Sequence, residues 1–386
     1  MQAISGPASL EQLRETTREI VARVVLPHAE EVDRDARWPV EGLHALMDAR
    51  VTALNAPASV GGHGQGLAGL ATIVETLSAG CASTAMCFGM HCVGTAVIAA
   101  RATPRHECRF LAPIAAGRHL TTLALSEAGT GSNFFLPETR LTREGGEFHV
   151  AGQKQFVTNG GRAHSYVVST QASDPSASGD FSCIVVEKDI PGVTWGGPWK
   201  GLGMRGNESR SMLLDARIDA GDLLGTDGDQ VWYVFEVIAP YFLVAMASTY
   251  VGVAQAALSA ATHHLGERRH SHSGETLASH PTLQHRLAEM WTAVQRSRLL
   301  LQHAARLGDA GSPDALMSIL ACKADAGETA VQVTNDAMTL CGGQGYRENG
   351  LVARLLRDAR ASHVMSPTTE LLKLWLGRVA LGLPLL

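Results

Sequence analysis

The chain has 386 residues, a length that suggests two to three domains and a large buried core. Its formal charge is −5 and it contains no basic run, so the electrostatic footprint of a nucleic-acid binder is missing and nucleic acid is excluded as a partner. The seven cysteines are odd in number and scattered, with no CxxC pair, which argues for reduced thiols in a cytoplasmic protein and against a disulfide frame or a zinc site. His106-Glu107-Cys108 lacks the HExxH spacing, so no metal is expected.

In chain order, the opening MQAISGPASLEQLRETTREI carries charges where a signal peptide needs an apolar run. Apolar residues then recur at three and four over 10–25 and 40–50, predicting amphipathic helices. APASVGGHG at 56–64 is a Pro/Gly-marked loop, and 67–100 returns to a helical pattern rich in small apolar residues. Near Leu120 the period changes. Short β-type runs at 121–125, 149–150, 166–169, 183–186 and 212–214, bounded by Gly, Asp, Asn and Pro, predict a β domain of roughly 110 residues. The stretch 238–262 has no charged residue and is long enough to span a membrane. Its Ala, Ser, Thr and Gly content, Pro240 and its amphipathic neighbours favour a core helix of an all-α domain instead, with no membrane span. Helical periodicity resumes over 287–307 and 315–340. The domains are therefore expected at 1–118, 119–228 and 229–386.

The most specific stretch is 341–372, CGGQGYRENGLVARLLRDARASHVMSPTTELL. By themselves Gly342, Gly343 and Gly345 are what any helix end and turn would use. Followed by LLRDAR and a segment opening a last amphipathic helix, they resemble the acyl-CoA dehydrogenase family. Two further motifs support the resemblance: 125–133, LSEAGTGSN, is similar to the family's first flavin loop, and 154–160, KQFVTNG, to its K-x-W-I-T-N-G strand. Pro57, Gly61, Gly62 and Gly64 match its N-terminal P-x-x-x-GG-x-G loop, although the usual acidic pair after the proline is Ala58-Ser59.

The resemblance covers the chain from about residue 10 onward. It implies the acyl-CoA dehydrogenase fold: an N-terminal all-α domain, a middle β-barrel or sandwich domain and a C-terminal four-helix bundle, with FAD at their junction. Leu125, Ser126, Gly131 and Ser132 of the first loop, and Phe156 and Thr158 of the strand, are the implied cofactor residues there. Thr339 (where the family often has glutamine), Gly342, Gly343, Thr368 and Glu370 are implied from the last stretch. Arg268, in Glu267-Arg268 of the family's E-R-x-x-F-G segment, is implied to grip the pyrophosphate of FAD bound by a neighbouring subunit, so a homodimer or homotetramer is expected. The following Phe-Gly is absent, and the loop is about two residues longer than usual.

Two departures concern catalysis. The family's usual glutamate, which removes the substrate α-proton, aligns with Ser366, and the alternative base position on the long apolar helix aligns with Phe242. A serine hydroxyl is too weak a base for this work unaided. The Ser366-Pro367 pair reads instead as an N-cap with proline at the first helical position. Glu236 lies six residues before Phe242, about 240° around a helix, so it points elsewhere. The arginine that often follows Phe242 is Leu243, and Tyr241 reads as a packing residue. The resemblance thus implies an FAD oxidoreductase acting on an acyl thioester of CoA or a carrier protein, with a flavoprotein or oxygen as electron acceptor and with atypical chemistry. A flavin monooxygenase on the same fold, or a catalytically silent flavin-binding protein, are the alternatives.

Overall fold

The computed structural model describes residues 6–174, 176, 177, 179–229 and 232–385. The first five residues of the N-terminal stretch lie outside these. Helix α1 (Leu10–Ile20) begins in a capping box: Ser9 Oγ accepts from Gln12 N at 3.3 Å, while Gln12 Oε1 accepts from Ser9 N at 3.0 Å. The expected end near residue 25 is not a stop. A wide turn at Val21–Val25 passes into α2 (Leu26–Arg34), whose Pro27 occupies a first-turn position. A proline there gives up no helical bond, so the chain continues. After α3 (Val40–Asp48), the run expected over 67–100 divides at Gly80-Cys81 into α4 (Leu67–Ser78) and α5 (Ala82–Ala100).

The middle region is two four-stranded sheets. One has the order β1 (Thr121–Ala124), β4 (Ser165–Thr170), β5 (Ser182–Glu187), β8 (Leu223–Leu224); the other runs β2 (Arg140–Glu144), β3 (Glu147–Val157), β7 (Arg210–Asp219), β6 (Val193–Trp195). Only the β1–β4 pair is parallel. Strands β1, β4 and β5 are buried nearly throughout, whereas β7 alternates, turning Met212, Leu214, Ala216 and Ile218 inward. This is why the first sheet reads as continuous apolar runs and β7 as an alternating one. Strands β2, β6 and β8, short or rich in charge, fall outside the apolar runs read from the sequence.

Among the described residues the C-terminal domain has five α-helices: α6 (Ala239–Glu267), α7 (Pro281–Asp309), α8 (Ala315–Gly345), α9 (Leu351–Arg360) and α10 (Thr369–Ala380). Helix α6 contacts α4 and α5 of the first domain as well as α7, α8 and α9, so most of its length is buried. That contact on several faces accounts for the charge-free stretch that runs as far as Thr262. The 35-residue apolar stretch Tyr233–Glu267 is mostly buried inside the protein, as expected for a core helix.

Several ties lock the first two domains together, two of them through the buried polar side chains of His91 and Asn159. His91 on α5 accepts from Thr121 N at Nδ1 (3.1 Å), so Nε2 carries the hydrogen and donates to Thr52 O at 2.9 Å. Burial pulls this imidazole down to about 4, and it stays neutral. Asn159, at φ 62°, donates from Nδ2 to Cys87 O (2.9 Å) and accepts from Trp38 Nε1 (2.9 Å). Asparagine tolerates this left-handed backbone better than most residues.

Candidate active site

Between the second sheet, α5 and the C-terminal helices lies a cavity of about 900 Å³. Its β wall depends on a bulge. The β3–β7 register shifts between Lys154 and Val157, and within the bulge Phe156 adopts φ 55°. Its ring leaves the sheet and stands in the cavity wall 64 % exposed, against the edge of Trp199 at 6.1 Å. Gln155 N turns instead to Ser126 O, at 2.7 Å, so the loop after β1 closes beside the bulge.

Beneath that loop Lys154 and Glu127 form a buried ion pair. The ammonium also donates to Ser169 Oγ at 3.0 Å; the carboxylate also accepts from Glu138 N (2.6 Å), Thr139 N (3.2 Å) and Thr139 Oγ1 (2.8 Å). Burial works to raise the Glu127 pKa, but the Lys154 charge and these hydrogen bonds outweigh it and hold the carboxyl below its ordinary value. Burial draws Lys154 down to about 8 against the attraction of Glu127. The pair is ionised at neutral pH, and the loop is pinned to β3.

The opposite wall comes from the last domain. Phe242 and Leu243 of α6, Leu316 and Leu320 of α8, and the segment from Val364 to Pro367 face the cavity. The loop at Gly201–Met204 crosses the end of α9, where a Cβ on Gly203 would lie 2.2 Å from Arg357 O; only glycine fits this crossing. Met204 N then donates to Asp358 Oδ1 at 2.6 Å, and Arg357, beside it, pairs with Asp33 and reaches Leu202 O at 3.0 Å. Burial pushes Asp358 up to about 6.

Of the residues singled out in the sequence, Leu125, Ser126, Gly131, Ser132, Phe156, Thr158, Phe242 and Ser366 all line this one cavity. The Ser366 hydroxyl donates to Ser132 O at 3.4 Å, joining two motifs 234 residues apart. Thr158 Oγ1 lies 3.4 Å from Ser209 Oγ. Arg268, Thr339, Gly342, Gly343, Thr368 and Glu370 do not line it. Arg268 ends α6 with an exposed side chain, Thr339 donates to Asn335 O at 3.1 Å on its own helix, and Gly342 breaks the helical run of α8 at φ 54°. Glu370 is exposed, 3.7 Å from Lys373.

The cap expectation needs correction. Helix α10 starts at Thr369, and its N-cap is Thr368, whose hydroxyl accepts from Leu371 N at 3.3 Å. Ser366 lies two residues too early to reach the helix's free N–H groups, and its side chain turns to the cavity. The sequence reading also missed Met90, Trp199, Met204, Asn207, Arg357 and Arg360 as wall residues. They sit on elements whose local pattern announces packing or turns, and only chain crossings bring them to the cavity.

Among the described residues Glu127 is the only carboxylate in the wall, and it is consumed by Lys154. Glu236 is exposed and outside the wall; Tyr241 is also outside it, its hydroxyl pushed up to about 12 by burial. Among the described residues, the cavity that Phe242 and Ser366 line therefore holds no unpaired carboxylate.

Along the chain a β domain lies between two helical ones, and residues of all three line the one cavity. Residues 7–118, 122–216 and 242–381 match, in turn, the N-terminal, middle and C-terminal domains described for acyl-CoA dehydrogenases. The chain is 32 % identical over 368 residues to the cyclohex-1-ene-1-carbonyl-CoA dehydrogenase of Geobacter metallireducens, covering 94 % of this chain and 96 % of that protein. It is 30 % identical to the enzyme of the same name from Syntrophus aciditrophicus, over 95 % and 88 % of the two chains. Butyryl-CoA dehydrogenase from Megasphaera elsdenii has the same fold, with a TM-score of 0.90 at 23 % identity over 96 % of this chain and 98 % of that one. The protein belongs to the acyl-CoA dehydrogenase family, enzymes that oxidise CH–CH groups.

Proposed function

We propose that this chain is an FAD-dependent oxidoreductase acting on an acyl thioester, carried by CoA or a carrier protein, by chemistry that draws no α-proton to an enzyme carboxylate. One observation carries the reading: the flavin-motif residues Ser126, Phe156 and Thr158 share a cavity with Phe242 and Ser366, and its sole carboxylate, Glu127, is locked beneath the floor.

The residues present fit the cofactor. Phe156 offers an exposed ring as a stacking surface, and Ser126 and Thr158 offer hydroxyls beside it. Gly131 sits at φ 53° with nothing within 4 Å of a Cβ, leaving open space for a close backbone approach. When bound there, FAD would supply hydride acceptance from the acyl chain. The protein's own part is to hold the acyl group between the Phe242 and Ser366 walls, exclude water with its apolar lining and keep Glu127 from titrating.

The substrates that suit such a site carry their own acidic proton, a β-leaving group or an amine or α-hydroxy function. The lining phenyl rings of Phe134, Phe135, Phe235 and Phe242 suit a bulky acyl group. Cyclohex-1-ene-1-carbonyl-CoA, named in two relatives, is the first compound to try. The absent base equally favours a second reading, a flavin monooxygenase that returns electrons to oxygen. Anaerobic bleaching of the bound flavin by an acyl-CoA supports the first reading; oxygen consumption only with a reductase and NAD(P)H supports the second. Colourless protein that takes up no added FAD overturns both.

Arg268, exposed and without an ion pair among the described residues, is the candidate to reach the pyrophosphate of FAD held by a second copy. A homodimer or homotetramer follows from that role.

A further inference from the structure

Lys323 on α8 is fully buried, with no carboxylate in ion-pair distance among the described residues. Its ammonium donates to three backbone carbonyls, Ser362 O at 3.0 Å, Met365 O at 3.3 Å and Pro367 O at 2.8 Å. All three belong to the short segment that links α9 to α10 and carries Ser366 into the cavity wall. The segment's other side-chain anchors are single bonds: Ser362 Oγ donates to Gly327 O at 3.2 Å, Tyr250 to Met365 Sδ at 3.2 Å, Ser366 Oγ to Ser132 O at 3.4 Å and Thr369 Oγ1 to Ser362 O at 3.4 Å. A buried charge without a counter-ion is expensive, and buried carbonyls without a donor would be too; Ser362 O keeps only the long bond from Thr369 Oγ1 if the ammonium is removed. Each need meets the other here.

We infer that Lys323 is a positioning residue: its ammonium, acting through the carbonyls of Ser362, Met365 and Pro367, fixes the backbone that presents Met365 and Ser366 to the cavity. It does not itself line the cavity, and it belongs to no motif through which the site was read. A cation at this place does two things an apolar side chain cannot. It orients three peptide groups at once, and it stops the segment from relaxing outward when a ligand presses on Ser366.

Burial lowers the Lys323 pKa to about 8, so the tether loses its proton within an accessible pH range. The neighbouring groups do not titrate there in the same way. His363, on the intervening turn, is lowered below its usual value, chiefly by burial. Lys373 on α10 is held above its usual value by Glu328 of α8, and burial pushes Tyr250 of α6 well up.

Hydrogen exchange with mass-spectrometric readout tests this on the full chain. In Lys323→Met, peptides covering 361–368 should exchange about tenfold or more faster, with helix α5 unchanged, and Lys323→Arg should restore most of the protection. In wild type, opening the segment returns Lys323 to its ordinary, higher pKa, so protection of 361–368, corrected with an unstructured reference peptide, should rise as pH goes above about 8. This arm needs no variant and decides the matter if Lys323→Met does not fold. A folded Lys323→Met with wild-type protection of 361–368, or no such rise in wild type, overturns the inference. A second arm rests on the FAD reading above: fluorescence of added FAD bound to the protein should change with the same midpoint in wild type and lose that step in Lys323→Arg. Protein that binds no FAD would remove that reading and leave Lys323 to be judged by exchange alone.

Discussion

Lys154 and Glu127 meet as a fully desolvated ion pair directly under the loop that carries Ser126 and Gly131. The pair joins β3 to that loop, and its carboxylate is also the acceptor for the chain at Glu138 and Thr139. Removing one partner leaves the other charged and buried. Lys154→Met should therefore cost about 3–5 kcal/mol in urea unfolding and abolish FAD uptake. A variant as stable as wild type would mean that the carboxylate has found another donor. Because the folded pKa of Glu127 is lowered, its contribution is present above the unfolded carboxylate range and is lost as pH falls through the folded value.

Asp358 works in the opposite sense. Its folded pKa of about 6 lies above the ordinary carboxylate value, so the folded state holds the extra proton and stability falls as pH rises between about 4 and 6. Asp358→Asn keeps an acceptor for Met204 N and removes the buried charge. The variant should lose that pH dependence and gain about 1–3 kcal/mol relative to wild type between pH 4.5 and 7, measured by denaturant titration at both values. An unchanged pH profile would show that the carboxyl is ionised without penalty.

Restoring a carboxylate at Ser366 should restore ordinary desaturation. Ser366→Glu is expected to speed anaerobic flavin bleaching by a saturated straight-chain acyl-CoA by about 10² to 10⁴, the usual worth of a positioned base. Rapid bleaching by the wild-type protein would instead reveal another base and end the atypical reading.

Arg268 and Arg269 are neighbours with different commitments. Arg269 donates to Gly274 O at 3.0 Å and its backbone bridges Thr276, whereas the Arg268 side chain stands in solvent. Arg268→Ala should weaken FAD retention, followed by flavin absorbance through gel filtration, far more than Arg269→Ala. Equal losses would place the phosphate contact elsewhere, and a flavin-loaded monomer in sedimentation would rule out a second copy as its source.

The sequence was most legible where chemistry and backbone geometry coincide locally. Residues 125–133 and 154–160 were legible through their resemblance to the family's motifs, and the structure puts residues of both on one cavity. Ser366 was found as a departure from a pattern, but its local reading as a cap failed, because a cap is decided by where the helix starts, one step beyond what Ser-Pro can tell.

The sequence by itself determined the helix–strand–helix order along the chain and the buried status of α6, since each follows from periodicity or composition; the placing of Phe242 and Ser366 at base positions came from the family resemblance alone. Tertiary structure alone decided what depends on segments far apart in the chain. Helix α4 starts at Gly66 with no capping side chain of its own; Asp309, 242 residues away, accepts from Leu67 N at 2.6 Å and Ala68 N at 2.9 Å. Lys323 reads in sequence as an ordinary helical lysine and is in fact the buried donor to the Ser366 segment. In both cases the partner is a backbone group, which every residue possesses, so no residue type at the other end could have signalled the contact.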